Sequence, residues 1–236
     1  MSSYTYVGSE LELFREARNW KAYYARLIRP YLGSDVLEVG AGIGGTTQIL
    51  CRSQHQQWMC LEPDGDLVSV LKETAISGGL PQFCEIQQGT VTTLASDSQF
   101  DSILYIDVLE HIEEDSLEVQ QAVQHLKVGG HLIVLSPAHS WLYSPFDAAI
   151  GHYRRYDKRS LSAATRHLDC VFLGYLDSVG LLASLSNRWL KRSMPTAKQI
   201  RLWDRAMVPV STRIDGLLGY SIGKSILGVW RRPSHL

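Results

Sequence analysis

Within VLEVGAGIGGTT (36–47), residues 40–45 include four glycines, Gly40, Gly42, Gly44 and Gly45, with Glu38 two residues ahead of them. Glycines at a strand-to-helix turn permit tight backbone geometry and let a ligand come close to the main chain. Two chemistries fit this spacing. Gly40, Gly42 and Gly45 read as G-x-G-x-x-G, the fingerprint of a dinucleotide site. Glu38, Gly40 and Gly42, with Gly44 beyond, satisfy the E-x-G-x-G pattern of a methyl-donor site. Glu62, about 20 residues after the turn, can accept both hydroxyls of a ribose in either case.

A second group of chemical residues follows. YIDVLEHIEED (105–115) places Asp107, Glu110 and His111 after an apolar run. SPAHSWLYSPFDAAIGHYRRYDKRSL (136–161) interleaves Trp141, Tyr143 and Tyr153 with His139, His152, Arg154 and Arg155. The aromatics suit a pocket wall. The histidines can move a proton, and forked guanidinium groups can clamp a carboxylate or phosphate. Each has a purely structural counterpart: a packed turn for His111, a loop-anchoring hydrogen bond for His152, and ion pairs to Asp147 or Asp157 for the arginines.

The elements that must position these residues alternate. Residues 9–29 have helical apolar spacing ahead of Pro30. Strands are expected at 35–40, 57–62, 82–88, 100–107, 131–137, 170–180 and 223–232. Helices are expected at 44–53, 64–77 and 115–127, the last ending at the turn signal Gly129-Gly130. Such alternation implies a mostly parallel sheet covered on both faces. Residues 181–222 read as short basic amphipathic helices interrupted by Pro195 and Pro209. A single domain is expected over 1–236: an N-terminal helical segment (1–34), a cofactor-binding core (35–180), a basic helical lid (181–222) and a final strand (223–232).

A length of 236 residues with 45% hydrophobic and 20% charged residues suits one α/β domain. The N-terminal residues lack a secretory pattern, and no apolar run is long enough to span a bilayer. Four scattered cysteines give neither a disulfide framework nor metal-ligand spacing. A cytoplasmic protein with no metal is the expectation. The net charge of −1 conceals a split. Residues 1–180 carry 13 Lys and Arg against 22 Asp and Glu, and residues 181–236 carry 10 against 2. The basic end can complement the acidic body, draw in an anionic acceptor, or rest peripherally on an anionic membrane. Nucleic acid is disfavoured, because no recognition motif accompanies the charge.

Taken in order, VLEVGAGIGG, LEPD (61–64), FDSILYIDVLEHIEED (100–115) and LKVGGHLIVLSPA (126–138) resemble the successive motifs of the Rossmann-like S-adenosylmethionine-dependent methyltransferases. The segment around GHYRRY is similar to a bacterial subgroup that tailors small molecules or cell-envelope components. The resemblance implies a seven-stranded sheet whose last strand is antiparallel, with S-adenosylmethionine as donor and a small-molecule or lipid-linked acceptor. It implies that Glu38, Gly40, Gly42, Gly44 and Asp107 lie around the methionine part, Glu62 at the ribose and Thr90 near the adenine. His111, His139 and His152 are then the candidate bases, and Trp141, Tyr143, Tyr153, Arg154 and Arg155 the candidate acceptor contacts. A nicotinamide-dependent Rossmann oxidoreductase remains the alternative, although no Y-x-x-x-K hydride-transfer motif is apparent. A binding protein that holds a nucleoside cofactor without turnover is the third reading.

Overall fold

A computed structural model describes residues 10–189 and 196–235. Short apolar runs form a seven-stranded sheet from β1 (Asp35–Val39), β2 (Gln57–Glu62), β3 (Cys84–Gln88), β4 (Phe100–Ile106), β5 (Leu126–Pro137), β6 (Asp169–Leu176) and β7 (Ser225–Arg231). The order is β3-β2-β1-β4-β5-β7-β6, with β7 antiparallel to both of its neighbours. This is the Rossmann-like architecture expected from the sequence. Strand alternation sends Val36, Trp58, Leu104 and Ile133 to one face and Leu37, Met59, Ile103 and Leu132 to the other. Both faces are therefore apolar cores, which accounts for the nearly uninterrupted hydrophobic runs of β1, β4 and β5.

The sequence order reverses beside β1: β2 and β3 lie on one side and β4 on the other. Open α/β sheets bind ligands at the carboxyl ends of strands at such a switch point. Here those ends carry the glycine turn after β1 and the segment Asp107–His111 after β4. The helices around the sheet are α1 (Glu10–Phe14), α2 (Arg18–Ile28), α3 (Thr47–Leu50), α4 (Gly65–Ile76), α5 (Asp115–Gln124), α6 (Pro145–Ala149), α7 (Lys158–Ala164), α8 (Ser178–Trp189), α9 (Ala197–Leu202) and α10 (Val208–Leu217). One π-helical turn, Trp203–Met207, joins α9 to α10.

Several boundaries differ from the sequence expectation. The N-terminal helix is split into α1 and α2 around Ala17, and the helix expected at 44–53 shrinks to the single turn of α3. Gly129-Gly130 lies inside β5, not at a turn; a Cβ on Gly130 would sit 2.8 Å from the carbonyl oxygen of Asp101. β6 stops at Leu176 because Asp177 takes a left-handed conformation (φ 64°) and starts α8. Pro209 occupies the first turn of α10, where its missing N–H costs nothing. Pro195 lies outside the described residues.

Three buried aspartates join the late helices to the rest. Asp204 accepts the Trp20 amide at 2.9 Å and the Asn19 side-chain amide at 3.1 Å. Asp215 accepts the Tyr23 hydroxyl and the Asp177 amide, each at 2.7 Å. Asp177 accepts Trp203 Nε1 and Ser211 Oγ, each at 2.6 Å. With Ile200, Trp203 and Val208 packed into the core against α2, this segment is an integral wall of the molecule.

Candidate active site

The glycine turn is fixed by hydrogen bonds from its own backbone. Gly40 and Ala41 donate to the Leu61 carbonyl at 2.8 and 3.1 Å, and Gly42 donates to Glu62 Oε2 at 2.9 Å. Gly40 is left-handed (φ 66°), and a Cβ there would fall 2.6 Å from Val108 Cγ2. No side chain fits at that position. Glu62 is buried at the end of β2, and its Oε1 also accepts the Asp64 amide at 3.0 Å. Burial raises its carboxyl above the usual range, opposed by the hydrogen bonds from Asp64 and Gly42.

A cavity of about 1140 Å³ runs from this turn past the end of β4 to the loop after β5. Gly40, Gly42, Glu62, Thr90 and Asp107 line it, as do Glu110, His111, Tyr143, His152 and Arg155. Residues from α1 and α2, including Leu11, Trp20 and Tyr24, cover the end nearest the glycine turn, and Trp203 and Lys224 form another part of the wall. Some residues of each motif thus meet in one space.

Glu38 and Gly44 are not on that wall. Strand alternation turns Glu38 under the sheet, where its Oε2 accepts Thr47 Oγ1 at 2.7 Å and Trp58 Nε1 at 2.8 Å. Gly44 packs instead against Leu71. Burial pushes the Glu38 carboxyl up to about 7, against those hydrogen bonds. The folded protein therefore keeps a proton that the unfolded chain has released, and stability falls as pH rises from the ordinary carboxylate range towards 7. The full effect is roughly 3 kcal/mol. Glu38→Gln retains an acceptor for Thr47 and Trp58 but removes the titration. The variant should melt higher than the parent at pH 8, with a smaller gap at pH 5; an equal gap at both pH values would refute this account.

The loop after β5 is organised around Asp147, whose side chain is fully buried. It accepts His152 Nδ1 at 3.0 Å, Arg155 Nε at 2.7 Å and Nη2 at 3.0 Å, and the amide and hydroxyl of Ser144. Burial opposes ionisation, but His152, Arg155 and Ser144 outweigh it and hold the carboxyl well below its usual range. Tyr143 donates its hydroxyl to the His152 carbonyl at 2.6 Å. Arg155 is thus both an ion-pair partner and a cavity residue. Arg154 pairs with Asp115 at 2.7 Å and, with Trp141 and Tyr153, is not among the cavity-lining residues. His139 is also off the wall: its Nε2 is 2.9 Å from the Gly223 carbonyl oxygen and its ring stacks on Trp141.

Two residues that the sequence reading left without a role join the site. Glu110 is fully buried, accepts Ser136 Oγ on Oε2 at 2.9 Å, and leaves Oε1 without a hydrogen-bond partner. Burial, reinforced by the charge of Asp107, drives its carboxyl well above the normal range. Lys224 has Nζ 3.6 Å from the Trp203 ring centroid and 3.4 Å from Asp177 Oδ2. Burial lowers its ammonium pKa, although Asp177 opposes the shift. Burial and then the neighbouring His152 lower the His111 pKa to about 4, so its imidazole is neutral at physiological pH. Elsewhere in the basic segment, Lys198, Arg201, Arg205 and Arg213 are exposed. No described helix is long and apolar enough to cross a membrane.

A strand-order switch with a left-handed glycine turn and an acidic second strand end defines a Rossmann-like nucleoside-cofactor domain. Residues 37–134 match the family model for a methyltransferase domain. Over the segment from β1 to β5 the chain is thus similar to methyltransferase domains. It is 24% identical over 185 residues to ajmaline N-methyltransferase of Rauvolfia serpentina, covering 78% of this chain and 62% of that one. It is 22% identical over 120 residues to demethylmenaquinone methyltransferase of Bacteroides fragilis, covering 50% of this chain and 49% of that one. The chain thus spans less than two thirds of either relative. Among solved structures, N-methyltransferase NodS from Bradyrhizobium japonicum, in complex with S-adenosyl-L-homocysteine, aligns with a TM-score of 0.61 and 14% identity. The alignment covers 96% of this chain and 94% of NodS.

Proposed function

We propose that the protein transfers a methyl group from S-adenosylmethionine to a small-molecule acceptor. The carrying observation is one continuous cavity that joins the glycine turn and Glu62 to Glu110, His111 and His152. The residues present fit the cofactor: the turn at Gly40 leaves no room for a side chain, and the cavity wall holds Glu62, Asp107 and Glu110. Carboxylates suit a sulfonium cation better than the pyrophosphate of a nicotinamide dinucleotide. In this reading the backbone at Gly40 and Gly42 receives the amino-acid end, Glu62 the ribose hydroxyls and Thr90 the base, with Asp107 near the methionine end. When bound, the cofactor supplies an electrophilic methyl carbon, which forms a bond to the acceptor as the carbon–sulfur bond breaks and its electron pair stays on sulfur.

The chain's own contribution is alignment and proton handling. Holding the reactants in line is worth roughly 7–11 kcal/mol. Tyr143 and Arg155 position the acceptor, while His111 and His152 stand where an acceptor proton is lost. The test is calorimetric titration with S-adenosylhomocysteine, NAD and NADP. Binding of the thioether nucleoside alone supports the reading; binding of a nicotinamide dinucleotide alone overturns it, and the Glu62 variant considered below locates the site. A finer proposal is an acceptor carried on a lipid, supported by exposed Lys198, Arg201 and Arg205 on the same helical segment as exposed Leu202. Salt-sensitive co-sedimentation with anionic vesicles is then expected, and its absence would remove the membrane contact.

A further inference from the structure

Glu110, His111 and His152 come from two segments that the Glu110 backbone ties together, its carbonyl accepting the Tyr153 amide at 2.8 Å. Each offers one ligand atom, and the three atoms lie within 4.8 Å of one another. His152 Nε2 faces Glu110 Oε1 across 3.9 Å, and the two imidazole rings meet edge-on with centroids 4.5 Å apart. A gap of 3.9 Å is too long for a hydrogen bond. It suits an ion between the two atoms: ligands each about 2.0–2.2 Å from a metal sit roughly 3–4 Å apart.

The opposite atoms of the cluster are already held. Asp147 takes His152 Nδ1 at 3.0 Å, which directs Nε2 inwards, and Ser136 takes Glu110 Oε2 at 2.9 Å, which directs Oε1 inwards. The His111 ring is hydrogen-bonded to the Gly151 backbone. Outer partners of this kind orient the ligands of metal sites. A fully buried carboxylate oxygen with no hydrogen-bond partner, aimed at two imidazoles, is otherwise costly to keep.

We propose that Glu110, His111 and His152 bind one divalent transition-metal ion at the acceptor end of the cavity. Two imidazoles and one carboxylate form a ligand set used for zinc and for non-haem iron, and such sets leave coordination positions open. All three residues line the cavity, so the open positions face it. Resting on the methyltransferase reading, the acceptor class is then a small molecule whose hydroxyl oxygen coordinates the ion, which lowers the hydroxyl's pKa. The imidazoles serve as ligands, and metal binding itself does not depend on that reading.

The test uses the full chain without an affinity tag, stripped with a chelator and titrated with Co²⁺ and Zn²⁺. One Co²⁺ per chain with visible d–d absorption, displaced by Zn²⁺, is expected. Glu110→Gln and His152→Gln should each weaken binding by at least roughly 100-fold. Should either variant fold poorly, His111→Gln supplies the same comparison. S-adenosylhomocysteine titration of the same samples reports the cofactor site separately. Nucleoside binding without stoichiometric Co²⁺ overturns the metal site alone; Co²⁺ binding that these substitutions leave unchanged also overturns it. Co²⁺ binding that these substitutions abolish supports the site, even where no nucleoside binds and the methyl-donor reading fails.

Discussion

Glu62→Ala should weaken S-adenosylhomocysteine binding by at least roughly 100-fold, the loss expected from about two charge-assisted hydrogen bonds. In the proposed complex the carboxylate spans two tasks. It already accepts the Gly42 and Asp64 amides at 2.9 and 3.0 Å, and so ties the glycine turn to the end of β2. Its remaining acceptor capacity faces the cavity, where a ribose would donate. Alanine removes both the ligand contact and the tie that shapes the turn. Glu62→Gln keeps a carbonyl oxygen for one amide and should fall between the two. Calorimetry measures the affinity, and melting curves separate the tasks. A purely structural residue would lower the melting temperature while saturating cofactor restored it. Unchanged affinity in Glu62→Ala would place the ribose elsewhere.

The largest loss of stability is expected from Asp147→Ala. The substitution strands two cationic or polar partners in a buried setting, with the Arg155 and His152 side chains only 14% and 6% exposed. Breaking a buried pair by removing one partner costs about 3–5 kcal/mol. For a chain of this size each kcal/mol moves the melting temperature by roughly 2–4 °C. A fall on the order of 10 °C follows from those two figures. Because its carboxyl is held below the normal range, the contribution of Asp147 is complete at neutral pH and is lost as pH falls through the folded-state value. The gap between parent and variant should therefore narrow in acid. The glycine turn lies outside this network, so S-adenosylhomocysteine should still bind. A melting temperature within experimental error of the parent would show that Arg155 and His152 find other partners.

Much of this arrangement was legible in the chain. Apolar runs separated by helical stretches dictated the sheet, and the turn at Gly40 and Gly42 could be placed from glycine spacing alone. The Arg155–Asp147 pair was legible as one of two alternatives. The spacing of Glu38 from the first glycine carries no sign of its burial; strand alternation puts it on the same face as Val36, off the cavity wall. Trp58, its partner, is 20 residues away and gives no local signal. In the sequence Glu110 is one acidic residue of several, because its partner Ser136 becomes a neighbour only when β5 pairs beside β4. The attachment of Asp204 to Asn19 and Trp20 spans up to 185 residues, beyond any periodicity argument.

The position of β7 also sets an order for assembly. β7 lies between β5 and β6, so β6 cannot join the sheet until residues 225–231 have inserted. Until then the β5 edge, with Leu132, Ile133, Val134 and Leu135, has no partner on the side that β7 occupies in the finished sheet. Contacts of such long separation form slowly, and an unpaired apolar edge invites association with other chains. The cavity wall at Lys224 and Ser225 is thus completed late in folding, and a ribosome-bound chain lacking β7 exposes an unpaired apolar strand edge.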